Sequence, residues 1–185
     1  LAYARLNTSL NAGILKSGII TASYQQTREG RSTRKNGSDI LRREYDKVRT
    51  FGLSAEALVS NGDIWSGNLG IEFYSDLVNS TRTDTDITTS SATAKRGLYP
   101  DGSTMNSVAL FTVHSFDLPR WNITAGARFN SFVINVDDME LGMTELSPSA
   151  LVGNIAFMRK LSSASNLFLS LNTGFRAPNI DDLGT

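Results

Sequence analysis

The sequence contains no cysteine and a single histidine among its 185 residues. The first absence removes disulfides and thiolate metal sites, and the second leaves a Ser-His-Asp centre only one imidazole to draw on. No apolar run approaches the ~20 residues that a membrane-crossing helix needs. The longest are short stretches such as Ala109–Val113 (ALFTV) and Leu167–Leu171 (LFLSL). Strands that alternate apolar with polar residues leave no such run, so this absence says nothing about a transmembrane β-barrel. Neither sign of charge is in excess: 18 Lys+Arg stand against 18 Asp+Glu, without the basic surplus of a dedicated nucleic-acid binder. A phosphate-binding glycine loop, a Gly-x-Ser-x-Gly elbow and a His-Glu-x-x-His pair are all missing. Carboxylates such as Glu56 and Glu72 suit acid–base work, but no spacing fixes their separation, and no catalytic residue is assigned. Helical signals are nearly absent; the charged stretch Asp39–Thr50 is predicted to hold one turn before its strand starts.

What is present is period two. In Trp121–Phe129, Trp121, Ile123, Ala125, Ala127 and Phe129 share one face, and Asn122, Thr124, Gly126 and Arg128 the other. Leu167, Leu169, Leu171, Thr173 and Phe175 repeat the scheme, as do Trp65, Leu69, Ile71 and Phe73. The same pattern near 2–10, 18–27, 48–58, 107–117 and 149–160 predicts about eight strands.

Short links (NAGILKS, SNGDIWS, DLPRW, SSASN) alternate with long polar stretches at 28–47, 77–106 and 135–147. In an antiparallel meander this puts every short turn at one end and every long loop at the other, as in outer-membrane barrels. Soluble sandwiches have no general reason to sort loops by length. Aromatic residues fall at two levels of the apolar parity. Trp65 and Trp121 follow short turns, while Phe51, Phe129 and Phe175 lie toward the long-loop end, as paired interfacial girdles require. The opposite parity carries Glu56, Glu72, Asp76, Arg128 and Arg176, which become candidates for a barrel lumen. PDGS at Pro100–Ser103 reads as a turn.

The last strand runs into Thr173–Thr185 (TGFRAPNIDDLGT). Pro178 cannot donate to a ladder and biases Ala177 to extended geometry, so the strand is expected to leave its sheet near Arg176 and open into a loop. A chain that stops seven residues after that proline reads as a fragment, and if the parent is exported its signal is expected to have been removed or to lie upstream.

The element Gly174-Phe175-Arg176-Ala177-Pro178-Asn179 followed by Asp181, Asp182 and Leu183, together with the AGARFNSF strand bearing Gly126 and Arg128, resembles TonB-dependent outer-membrane receptors. The resemblance implies an all-β, antiparallel, up-and-down segment of a 22-stranded transmembrane barrel, with residues 1–185 as a partial barrel domain and plug and remaining strands elsewhere. It implies a Gram-negative outer-membrane location. Its partners would be membrane lipid, the parent's own plug and, through it, TonB. The ligand would be a scarce nutrient: an iron siderophore or other metal chelate, haem, cobalamin or a glycan. No cofactor, metal or enzymatic activity is implied. Arg176 is expected in a lumen charge network, and the haem reading is weakened because no histidine follows it; His114 reads as a wall residue. The acid pairs Asp84/Asp86, Asp137/Asp138 and Asp181/Asp182 lack the spacing of a calcium loop and read as solvated acids. The competing readings are a passive outer-membrane barrel and a soluble β-sandwich binding module.

Overall fold

The computed structural model describes residues 1–138, 142–178 and 180. Ten strands form one antiparallel sheet: β1 (Ala2–Ala12), β2 (Leu15–Arg34), β3 (Ile40–Asn61), β4 (Trp65–Asp86), β5 (Ala92–Arg96), β6 (Ser103–Asp117), β7 (Trp121–Asp138), β8 (Gly142–Leu146), β9 (Ser149–Lys160) and β10 (Asn166–Asn172). Eight run through the sheet in the order β1-β2-β3-β4-β6-β7-β9-β10, each beside its predecessor on that path; β5 pairs only with β4, and β8 only with β7. The meander of eight strands is therefore as the alternation predicts. Among the described residues all strands belong to this one sheet, with no second layer as a sandwich would have.

The connections sort by end. β1–β2, β3–β4, β6–β7 and β9–β10 turn at one end; at the other the β4–β6 and β7–β9 links are long and hold β5 and β8, while the β2–β3 link at 35–39 is no longer than the β9–β10 turn at 161–165. Asn61-Gly62-Asp63-Ile64 makes one of the short turns, with Gly62 at φ 60°, a left-handed value that glycine adopts without strain.

The long polar stretches are not loops over their full length, which corrects the sequence expectation. β2 continues to Arg34, β3 begins at Ile40, β4 continues to Asp86 and β7 to Asp138. The Asp39–Thr50 stretch, expected to hold a helical turn, is mostly strand. β3 and β4, at 22 residues each, reach about 70 Å at ~3.3 Å per residue, against an apolar band of ~25 Å in an outer-membrane barrel. The physical reason is visible in Thr81–Asp86 (TRTDTD): β-branched threonines alternate with charges, a good strand pattern with no hydropathy contrast.

β4 changes partner where it outruns β6. It pairs with β6 as far as Val78↔Ser103 and with β5 from Thr81↔Arg96. The gap at Asn79–Ser80 is closed by the segment between β5 and β6. The Ser80 amide donates to Asp101 Oδ1 at 2.9 Å, and the Tyr99 amide donates to Ser80 Oγ at 3.2 Å, so the backbone donors there keep acceptors. The PDGS turn forms as expected, with Gly102 at φ 75°.

The buried core is small and sits toward the long-connection end. Val78, Ile134, Val136 and Ile180 are buried, with Val48, Tyr99, Met105, Phe132 and Leu146 packed against them. Tyr99, Leu146 and Ile180 come from segments outside the through-going strands. β10 ends at Asn172, earlier than expected, although the Thr173 amide still donates to the Gly153 carbonyl at 2.9 Å. Asn179 and the acids Asp181 and Asp182 lie outside the described residues.

Candidate functional site

The two faces of the sheet differ in chemistry, and the register assigns every strand residue to one of them. The row Glu56↔Gly70↔Phe111↔Arg128 and the row Ser54↔Glu72↔Ala109↔Asn130 lie side by side on the polar face. Arg128 on β7 reaches across β6 to Glu72 on β4, with Nη2 donating to Glu72 Oε2 at 2.5 Å. The small buried side chain of Ala109 stands between Glu72 and Asn130 and leaves room for that reach. Arg128 Nε donates to Asn130 Oδ1 at 2.7 Å, and the guanidinium carbon lies 5.7 Å from the Phe111 ring centre. This guanidinium is fixed by an anion, an amide and a ring.

Of the polar-face residues singled out in the sequence, the structure thus joins Glu72 to Arg128 directly. Glu56 accepts instead from Asn68 Nδ2 at 3.2 Å, and Asp76 accepts from the Thr50 hydroxyl at 2.5 Å. Arg176 lies in the segment beyond β10, outside these rows. Asn68, Thr50, Asn130 and Phe111 were not singled out, because only the cross-strand register reveals them.

The opposite face is apolar and exposed. Leu110 is 52% exposed, and Ile71, Leu53, Phe51 and Phe129 lie on the same face at similar exposure. Trp65 and Trp121 are at its short-turn end; Phe51 is opposite Tyr24 toward the other. Tyr24 was missed for lack of contrast with the polar residues around it. His114 also faces this side, pairing with Gly67 and Ala125 in register. Its ring stacks on Trp65 at 5.6 Å between centres, accepts from Trp65 Nε1 at 3.3 Å and meets the Thr112 hydroxyl at 2.8 Å through Nε2. A neutral imidazole with the proton on Nε2 satisfies both bonds. Phe175 stands apart from the other four aromatics singled out: it follows β10, and its ring lies 6.3 Å from Phe132, which shares the polar-face parity.

Beyond the apolar band the sheet carries a third feature, a mesh of ions. Arg31 Nη2 pairs with the buried Asp46 at 3.1 Å, Asp46 accepts from Ser80 Oγ at 2.6 Å, and Arg96 pairs with Asp138 at 2.6 Å. The last contact ties β5 to the end of β7. Arg82 clasps Asp84 with two hydrogen bonds at 2.9 and 2.6 Å. Bonding to Arg82, with the further charges of Arg42 and Lys95, holds the Asp84 carboxyl below its ordinary value; the Thr88 hydroxyl and amide do the same for Asp86. Both groups favour the folded state while ionised, so their contribution persists above the ordinary aspartate range near ~4 and is lost as pH falls through the depressed values. Amide exchange at Thr88 and Thr89, corrected for intrinsic rates, is expected to stay flat from pH 6 to about 4 and to accelerate below it. Acceleration already complete well above that range would contradict the assignment. Among the described residues no three His, Asp or Glu side chains converge as a metal site would require.

The model of one protein family, described as TonB dependent receptor-like, beta-barrel, matches residues 2–185. The chain belongs to this family. Solved structures agree in fold. The chain resembles the copper transporter OprC with a TM-score of 0.83 at 14% identity, over 96% of this chain and 30% of that one. It resembles the unliganded ferric citrate transporter FecA with a TM-score of 0.71 at 16% identity, over 91% and 26%. The ferric yersiniabactin uptake receptor FyuA from Yersinia pestis gives 0.65 at 10% identity, over 91% and 27%. The chain therefore spans less than a third of each of these proteins. No curated protein matches it in sequence.

The aromatic positions are staggered from strand to strand. Trp65 is in register with Phe116 and thence Ile123, so Trp121 lies two residues nearer the short turn, two strands away. Phe51 is in register with Ser75, Asn106 and Val133, so Phe129 lies four residues nearer the same end, three strands away. If each pair shares one level, the slip is one to four-thirds residues per strand. At ~3.3 Å per residue and ~4.8 Å between strands, the tilt is about 35–43°, inside the ~35–45° of outer-membrane barrels.

Proposed function

We propose that the parent protein is a Gram-negative outer-membrane receptor that imports a scarce nutrient with energy passed by TonB through a plug domain. This chain supplies part of the barrel wall and the outward hairpins. The observation that supports it most is the combination on one sheet: an apolar exposed face banded by Trp65, Trp121, Phe51 and Phe129, and a polar face whose Arg128–Glu72 pair is fixed across three strands. In this reading the apolar face meets lipid, and Glu56, Glu72, Asp76 and Arg128 line the lumen against the plug. Arg176 adds a charge near the mouth. Phe175 belongs to the mouth rather than to the lipid belt, since its ring lies against Phe132.

The proposed cargo is a metal ion or metal chelate, the class named for the structural neighbours OprC, FecA and FyuA. The protein is a transporter rather than an enzyme. The test is uptake by the whole receptor in a strain lacking it, with copper, ferric citrate and a panel of ferric siderophores as probes, with and without TonB. Uptake of a probe that requires TonB supports the reading; uptake of every active probe without TonB sinks it in favour of a passive pore. Replacing residues 79–102, which hold the outward end of β4, β5 and the Asp101 clasp, by an Asn-Gly turn joining Val78 to its register partner Ser103 is expected to lower uptake at least ten-fold while leaving folded receptor at wild-type level on heat-modifiability gels. Lost assembly with normal uptake per folded barrel would contradict the assigned role of that hairpin.

A further inference from the structure

Between the two aromatic levels the apolar face is free of charged side chains, and at its short-turn edge it carries one, Arg159. Arg159 shares its face with Leu151, Ile155 and Phe157, and it is in register with Trp121 on one side and Leu167 on the other. Its guanidinium carbon sits 5.2 Å from the Trp121 ring centre. The ring holds one flat side of the cation and leaves the N–H edge open to an acceptor. Arg120 and Lys160 are beside it, joined by the Lys160 amide donating to the Arg120 carbonyl at 3.0 Å. The nearby carboxylate, Asp117, is engaged by Lys160 at 3.3 Å. Among the described residues neither Arg159 nor Arg120 forms an ion pair. Lys160 and Asp117 lie on the polar parity and engage one another, which leaves Arg159, with Arg120 in the adjoining turn, as the cations at this edge of the apolar face.

We propose that this corner is a binding site for the phosphate of an anionic phospholipid, held by Arg159 on the Trp121 ring and assisted by Arg120. The proposal rests on the outer-membrane reading above. A cation on a lipid-facing surface is costly unless it meets an anion or reaches the interface, and the tryptophan level is where headgroups lie. Arginine matches a phosphate with two parallel N–H bonds. Leu167, Leu169 and Leu171, 59%, 68% and 71% exposed, continue the apolar surface from Arg159 toward the bilayer interior, where acyl chains would lie.

The test uses the full-length receptor in a nonionic detergent, labelled with 5-fluorotryptophan, the Trp121 resonance being assigned through Trp121→Phe. Short-chain phosphatidylglycerol and phosphatidylcholine are titrated separately. The expected result is a shift of the Trp121 signal with phosphatidylglycerol bound about five-fold more tightly, as one interfacial cation supplies. The preference should vanish in Arg159→Gln, persist largely in Arg159→Lys, and be untouched in Arg43→Gln, at the opposite end of the sheet. An unchanged preference in Arg159→Gln overturns the proposal. So does loss of the lipid effect on adding inorganic phosphate at constant ionic strength, which would make free phosphate the ligand. A receptor that stays folded and monodisperse with no detergent overturns the membrane reading itself, and this proposal with it.

Discussion

Replacing Leu69 by arginine is expected to destabilise the receptor in a bilayer by about 2–4 kcal/mol, the cost of a basic side chain near the membrane midplane of a β-barrel. Leu69, midway between the tryptophan and phenylalanine levels on its strand, lies in the row Ala57↔Leu69↔Thr112↔Ala127↔Gly153 and is 41% exposed. In a water-soluble protein a half-exposed leucine tolerates this change within about 0.5 kcal/mol, which makes the substitution discriminating. Ser54→Arg is the matched control, because Ser54 is opposite Glu72 on the polar face and the new cation gains a carboxylate neighbour. Urea unfolding in lipid vesicles, read by heat-modifiability, should show a loss for Leu69→Arg and little for Ser54→Arg. Equal tolerance of the two would mean that the apolar face does not meet hydrocarbon.

Gly70→Val carries the second large effect, for a steric reason. A Cβ at Gly70 would lie 2.6 Å from Phe111 Cζ and 2.8 Å from the Ala55 carbonyl oxygen. The ring can turn away, but the carbonyl belongs to the neighbouring strand and cannot move without disturbing the ladder. The expected cost is roughly 3 kcal/mol, with only part recovered by Phe111→Ala, since the backbone contact remains. Displacing Phe111 also removes the ring that steadies Arg128, so ligand-independent opening of the lumen network should accompany it. At Gly30, where nothing lies within 4 Å of a built Cβ, the same substitution should be nearly silent. Comparable losses at both positions would show that the Phe111 and Ala55 contacts do not decide the result.

The strands that cross the apolar band were legible because one face there is uniformly apolar. Trp121, Ile123, Ala125, Ala127 and Phe129 alternate with polar residues, and a slip of one residue would turn them all to the wrong side. The outward halves of β2, β3 and β4 were not, since both of their faces are polar. Arg42, Glu44 and Asp46 alternate with Arg43, Tyr45 and Lys47, and hydropathy cannot separate the two sets. The repeated threonines of Thr81–Asp86 were the available signal. At the site, the candidates Glu72 and Arg128 could be named from parity alone, but their pairing depends on a register spanning 56 residues of sequence. Phe175 was assigned by extending a strand beyond Asn172, where the chain instead departs and brings its ring to Phe132.

Under the proposed function, the outward extension of β3 and β4 changes what kind of object the receptor offers to its cargo. A rim of slack loops would spend ordering entropy each time something docked. A rim made of laddered strands, cross-tied by Arg31 to Asp46 and by Arg96 to Asp138, is already ordered. Its side chains point alternately toward and away from the opening, so single substitutions at every second position can retune what is admitted without altering the frame. The same stiffness restricts gating: this wall can shut only by leaning as a panel or by breaking hydrogen bonds in sequence, so rapid motion at the entrance is left to the short tips near 35–39 and 87–91.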